Sequence, residues 1–228
     1  MGRYRELLRK VTIFSDLDEA GLDDLEGLFV SKTYGKDALI VGHDEEGDSL
    51  FIIVEGRAKA MLLGESGREM ILYVFRPGDF FGEMSLLDNE PRSATVQASE
   101  ETTVLALRRD AFHRHIEKYP KTALSILREM SARLRRADEI IGSLALLDVY
   151  GRVARLLREL ADRDGEEVDE GMMIAERPTQ QDIAAMIGTS RETVSRALSD
   201  FAKRGFVEMS GKSILLRAHF LHGGQISR

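Results

Sequence analysis

Two short segments hold residue types whose spacing could do chemistry. In Phe81 to Ala94, FGEMSLLDNEPRSA, Glu83 follows Gly82 directly, and past the acidic turn DNEP come Arg92, Ser93 and the small residue Ala94. A guanidinium presents a planar fork of donors that fits an oxyanion. Residue types alone leave a plainer use open, a surface Glu–Arg pair of the common kind that is worth little. The second segment is RETVSRALSDF, residues 191–201. At 100° per residue, Val194, Ala197, Leu198 and Phe201 form one stripe, and Glu192, Ser195, Arg196 and Ser199 lie opposite with Arg191 at the border. An arginine on such a face can contact guanine O6 and N7 together, and a carboxylate can accept from cytosine N4. The plainer use is a solvated face with an i,i+4 pair between Glu192 and Arg196.

The elements around the second segment decide between its uses. Thr179 can cap a helix that opens with Gln180 and carries Asp182 three residues after the cap, a capping-box-like start. Gly188 ends that helix, Ser190 caps the next, and Gly205 ends it. FVEM and SILL then flank the turn SGK, which contains Lys212, as a small hairpin. Two short helices joined by a glycine turn and followed by a wing predict a winged helix-turn-helix, the context in which such a face reads DNA. The candidate DNA contacts are Thr179, Gln180, Ser190, Arg191, Glu192, Thr193, Ser195, Arg196 and Lys212.

The first segment lies in a different kind of sequence. From about Leu28 to Leu107, short apolar runs (ALIVG, SLFIIVEG, AKAMLLGESG, EMILYVFRPG, ATVQA, TVLAL) are broken by glycine turns, which predicts an antiparallel sandwich or roll with no intervening helix. RYRELLRKVTIF precedes it as a helix, and RDAFHRHIEKYP begins a return to helix that Pro120 stops. Next, Leu127, Met130, Leu134, Ala137, Ile141 and Leu144 recur at steps of three and four without a proline, the seam of a two-stranded coiled coil. A homodimer through this helix is expected; packing of the stripe on its own β-domain is the alternative. After a junction near 147–151, GRVARLLRELADR reads as a helix, followed by the acidic loop DRDGEEVDE and a strand. The fold class is therefore α+β, with boundaries expected at 1–119 for the β-domain and flanking helices, 120–147 for the dimerisation helix and hinge, and 148–228 for the DNA-binding domain.

Composition fits two soluble globular domains. The 228 residues are 43% hydrophobic and 31% charged, with no stretch near the roughly 20 apolar residues of a membrane span. The charged N-terminus lacks the apolar core of a secretory signal, so no membrane partner and a cytoplasmic location are expected. Zero cysteines exclude disulfides, thiol nucleophiles and cysteine-ligated metals. Of 32 basic and 39 acidic residues, 12 and 12 fall in 149–228, which leaves the whole deficit of -7 in the first part. Residues 177–228 hold eight basic against four acidic, a field that can approach phosphate.

With these residues in view, TQQDIAAMIGTSRETVSRALSDFAKRGFVE and GKSILL resemble the DNA-binding domain of the cyclic AMP receptor protein (catabolite activator) family, within the fumarate-nitrate regulator superfamily of bacterial transcription factors. LLDVYGRVARLL is similar to the family's hinge and following helix, and GREMILYVFRPGDFFGEMSLLD to its jelly-roll-like nucleotide-binding β-roll. The resemblance implies that Arg191, Glu192 and Arg196 read a TGTGA-type half-site presented twice in a near-palindrome, by a dimer that also meets RNA polymerase. It implies that Gly82, Glu83, Met84, Arg92, Ser93 and Ala94 form the cassette for a cyclic nucleotide, with Arg92 and Ser93 on the phosphate and Glu83 on the ribose 2′-hydroxyl. One departure concerns the base. Where cyclic AMP receptors place a threonine and its successor on the adenine, this chain has Ala137 and Asp138. Alanine cannot make that bond, but Asp138 could accept from an adenine amine or from guanine N1–H and N2, so cyclic AMP is expected first, with cyclic GMP or ligand independence as alternatives.

An enzyme is not expected. SGKS at 210–213 suggests a P-loop end, but Gly205 is one residue too far from Gly211, and the segment reads as the wing. His113 and His115 are two apart on a helix and face apart, while His219 and His222 lie near the C-terminus, so no metal site is expected. A nucleotide sensor acting through protein contacts is a third reading, which salt-dependent, sequence-specific DNA binding would exclude.

Overall fold

The computed structural model describes residues 4–65 and 67–222; Arg3 of the predicted first helix, Ser66 and residues 223–228 lie outside the described residues. The chain divides into two compact units, residues 1–63 with 71–136, and residues 64–70 with 137–228.

In the first unit, helices α1 (Arg5–Lys10) and α2 (Glu19–Glu26) precede strands β1 (Phe29–Tyr34), β2 (Leu39–Val41), β3 (Ser49–Glu55), β4 (Ala58–Leu63), β5 (Glu69–Phe75) and β6 (Phe80–Phe81). A short helix α3 (Met84–Asp88), strands β7 (Thr95–Ala98) and β8 (Thr102–Arg108), and helix α4 (Arg109–Lys118) follow. The strands form two four-stranded sheets, ordered β1-β8-β3-β6 and β2-β7-β4-β5, with antiparallel pairing. Strands β3 and β8 are buried on both faces because successive side chains alternate between two cores. Leu50, Ile52, Leu105 and Leu107 meet Leu8, Phe14, Leu22 and Phe112 on the helical side. Phe51, Ile53, Val104 and Ala106 meet Ile40, Ala58, Val96 and Phe81 between the sheets. Each fully buried Leu, Ile or Phe contributes roughly 1.5–3 kcal/mol.

The roll departs from the sequence expectation in two places. FVSKTY is the edge strand β1, largely exposed and so without an apolar run to betray it. Helix α3 interrupts the strands inside the segment that holds Glu83.

Pro120 does not merely stop α4; it opens α5 (Pro120–Leu146), where its missing N–H is an orphan of the first turn in any case. Of the predicted seam positions on α5, Leu127, Leu134, Ala137, Ile141 and Leu144 are exposed. Met130, the sixth, is partly buried against the core of the first unit. Leu124, Leu127, Leu134 and Ile141 are 56–65% exposed, and Ser131, Asp138 and Ala145 fill the intervening steps of three and four.

In the second unit, α6 (Val149–Asp164) starts at Asp148, whose side chain accepts from Gly151 N at 2.7 Å. The predicted acidic loop is partly a strand, β9 (Glu166–Val168), paired with β10 (Gly171–Ile174). Helices α7 (Gln180–Ile187) and α8 (Arg191–Lys203), strands β11 (Val207–Ser210) and β12 (Ser213–Arg217), and α9 (Ala218–His222) complete it, with sheet order β11-β12-β10-β9. Val194, Ala197, Leu198 and Phe201 of α8 are fully buried against Val153, Leu157, Ile183 and Phe220. Among the described residues no helix is long and apolar enough to cross a membrane.

Candidate functional site

The cassette of the first unit begins where β6 turns into α3. Gly82 sits at φ +86, where L side chains are strained, and a Cβ there would lie 2.5 Å from Arg92 Nη1 and 2.9 Å from Ser49 O. The glycine is thus required by the guanidinium and the backbone. Glu83 follows at the N-cap of α3 and is only 1% exposed. Its Oε1 accepts from Arg133 Nη1 at 2.9 Å, while Oε2 is buried without a hydrogen-bond partner. Burial pushes the Glu83 carboxyl above the usual carboxylate range, and Arg133 opposes that rise. A buried acceptor that lacks a donor fits an incoming hydroxyl.

Arg92 is 5% exposed, and its fork is not wholly reserved for an anion. Nη1 donates to Gly82 O and Nη2 to Ser49 O, each at 2.7 Å. These acceptors are neutral carbonyls, so they fix the guanidinium plane and leave its charge uncompensated by a contacting carboxylate. Burial lowers the Arg92 pKa, while Asp48 and Glu83 oppose the effect; an arginine stays charged nonetheless. Gly47, unforeseen in the sequence, lies beneath it, since a Cβ there would fall 2.7 Å from Arg92 Cζ. Ser93 Oγ lies 3.7 Å from Met84 Sδ; Met84 is exposed, and Ala94 packs on the inter-sheet core. The structure therefore brings Gly82, Glu83, Met84, Arg92, Ser93 and Ala94 together. Ala137 and Asp138 are exposed on α5 and belong to the second unit.

Arg133 was not foreseen. Besides Glu83, it donates to Phe80 O at 2.8 Å, lies 4.8 Å above the Phe80 ring, and reaches Glu129 at 3.4 Å. In the sequence it is one arginine among several on a polar helix face, without a distinguishing mark.

In the second unit, Thr179 Oγ1 accepts from Asp182 N at 3.1 Å, and Gly188 ends α7 in the left-handed conformation. Ser190 accepts from Thr193 N at 3.3 Å to start α8. The alternative Glu192–Arg196 pair is not formed; Arg196 Nη2 donates to Thr193 Oγ1 at 3.2 Å instead. Glu192 keeps a lowered pKa because its own backbone N–H and Ser190 donate to it. Thr179, Gln180, Arg191 and Lys212 line an open cleft of about 450 Å³ with Arg177 and Gly211. Ser195, Arg196 and Ser199 line a second, of about 290 Å³, with Tyr150, Asp200 and Lys203. Arg177, Tyr150 and Lys203 were not foreseen, since each lies outside the two helices' polar face or at its end. Among the described residues no three His, Asp or Glu converge as a metal site.

The cyclic nucleotide-binding domain family matches residues 31–119, and the Crp-like helix-turn-helix domain family matches residues 151–221. The chain is 34% identical over 211 residues to a CRP-like cAMP-activated global transcriptional regulator of Mycobacterium tuberculosis, covering 92% of this chain and 94% of that one. It is 33% identical to the cAMP-activated global transcriptional regulator CRP of Salmonella typhimurium, covering 80% of this chain and 87% of that one. Among solved structures, it is similar to the catabolite activator protein of Thermus thermophilus (30% identity, TM-score 0.55, 93% and 99% covered). A mutant CooA of Carboxydothermus hydrogenoformans is also similar (26% identity, TM-score 0.78, 93% and 92% covered). With a nucleotide-type cassette in one unit and a winged helix-turn-helix in the other, the chain belongs to the CRP/FNR family of DNA-binding transcription regulators.

Proposed function

We propose that the chain is a homodimeric, cytoplasmic transcription regulator whose DNA binding is controlled by a cyclic nucleotide, cyclic AMP in the first instance. The observation that carries this reading is the pair Glu83 and Arg92: a buried carboxylate oxygen without a donor beside a guanidinium without a contacting carboxylate. A ribose hydroxyl and a phosphate diester supply the missing partners. Ser93 completes the phosphate contacts, and the base is assigned to Ala137 and Asp138 from the family resemblance. The exposed Leu124, Leu127, Leu134 and Ile141 supply a dimer seam. A two-fold dimer sets its recognition helices about 34 Å apart, which suits a near-palindrome of TGTGA-type half-sites. There Arg191, Glu192 and Arg196 read bases, while Thr179, Gln180, Ser190, Thr193, Ser195 and Lys212 hold the backbone or the flanking bases. RNA polymerase is the expected further partner.

Cyclic GMP is the second reading, favoured by Asp138, whose carboxylate can accept from N1–H and N2 together. Titration of sequence-specific DNA binding against cyclic AMP, cyclic GMP and no ligand, at one fixed salt concentration, tests both. Ligand-dependent affinity is the expected result; equal affinity in all three arms would remove the nucleotide from the mechanism.

A further inference from the structure

Arg109, the first residue of α4, gathers three acceptors from two separate segments. Its guanidinium donates to Ser85 O in α3 at 2.9 Å, to Asn89 Oδ1 just past α3, and to Gly47 O in the loop before β3. Its own backbone N–H donates to Asp48 O at 2.8 Å. One turn later on α4, His113 Nε2 is 2.8 Å from Leu86 O. The same loop is laced to Arg92 from the other side, since Asp44 N donates to Arg92 O at 3.0 Å and Arg92 N to Glu45 O at 2.9 Å. Gly47 is the meeting point: its carbonyl is held by Arg109, and its α-carbon lies against the Arg92 guanidinium. All three of Arg109's acceptors are neutral, so nothing in contact cancels its charge, and it is among the charges that act on Arg92. A surface arginine kept for solubility does not gather three neutral acceptors 62, 24 and 20 residues away.

We propose that Arg109 is a positioning residue for the nucleotide site: it clamps α3 and the 42–48 loop in the arrangement that presents Glu83 and Arg92 to the ligand. The proposal rests on the nucleotide reading given above, and it can fail while that reading stands.

The test uses the full chain, with cyclic AMP as probe and calorimetric affinity as readout. Arg109→Met should weaken binding about tenfold, and Arg109→Lys, which keeps the charge and some of the donors, should recover part of the loss. In an Arg92→Ala background Arg109→Met should add little, because a clamp that acts through Arg92 has nothing left to present. Amide exchange of Leu86 and Leu87, whose N–H groups donate to Glu83 O at 3.0 and 3.1 Å, should quicken in the ligand-free Arg109→Met variant while β3 and β8 stay protected. Unchanged affinity, a full tenfold loss added to Arg92→Ala, or quickened exchange across the whole roll would each overturn the proposal. If the wild-type chain bound neither cyclic AMP nor cyclic GMP, the ligand reading itself would fall, and the positioning role with it.

Discussion

Replacing Glu83 with glutamine separates binding from folding. The carboxylate is 1% exposed, with one oxygen on Arg133 and the other unpartnered. A charge-assisted hydrogen bond from a ligand hydroxyl is worth about 1.5–3 kcal/mol, so its loss should weaken cyclic nucleotide binding about tenfold to a hundredfold. The fold should hardly notice. Breaking a buried ion pair is costly when it strands the other charge, but Arg133 is 26% exposed and retains Glu129 and Phe80 O. Against that loss stands relief from burying an anion, so the net change is within about 1 kcal/mol. The pH dependence gives the sign. Because burial raises the folded-state pKa of Glu83, the native state takes up this proton at higher pH than the unfolded chain does. Wild type therefore gains on E83Q as pH falls through that window, and E83Q fares best above it. Calorimetric titration with cyclic AMP and thermal unfolding at several pH values measure both effects. Unchanged affinity in a folded E83Q protein would refute the assignment of Glu83 to the ligand.

Other perturbations probe the remaining elements. Arg92→Ala should raise the nucleotide concentration needed for DNA binding and leave ligand-free DNA affinity unchanged, as gel-shift titrations would report. His115 is buried beside Phe14 and Thr122, and burial pushes its pKa down from 6.5 to about 4. The unfolded chain binds that proton first, so stability is full above pH 6.5 and falls toward pH 4 by no more than about 3 kcal/mol, a slope that chemical denaturation should find flattened in His115→Gln. Leu134→Glu, at the centre of the exposed line on α5, should yield monomers in sedimentation, and Asp138→Leu should tighten the dimer. Glu192→Ala should relax preference at one base per half-site in a binding-site selection, at a cost of about 1–3 kcal/mol in discrimination.

The DNA-reading unit was legible because its cues are local. Thr179, Gly188, Ser190 and Gly205 act on the backbone within a few residues, and the α8 stripe states which face is buried. The cassette was legible only in part. Glu83 and Arg92 were assigned through the family resemblance, since type and spacing alone left a surface ion pair open, and the groups that set them, Ser49, Gly47, Arg109 and Arg133, come from 17 (Arg92 to Arg109) to 50 (Glu83 to Arg133) residues away, where no periodicity reaches. The seam along α5 shows a third situation. Leu127, Leu134 and Ile141 are apolar on any heptad reading; that Met130 turns partly into the core of the first unit is a tertiary fact absent from a one-dimensional pattern.

A cassette already in place constrains how a ligand can control DNA binding. Arg92 is held by two backbone carbonyls, and Glu83 keeps an oxygen open without having to surrender Arg133. On the proposed reading, phosphate and ribose would find these partners in place, which would favour affinity because little ordering would be left to do on binding. A ligand shifts an equilibrium only by its differential affinity for the two states. On the same reading, contacts that form only when ligand is present would supply the switching free energy. Arg133 carries the cassette's link to α5. Along that helix Asp138 is an exposed carboxylate on the line of Leu134 and Ile141, where burial against a second copy would be costly until a donor satisfies it. On the proposed reading, the purine edge is the ligand group that would bring such donors, so selectivity and switching would rest on Asp138 and affinity on Glu83 and Arg92.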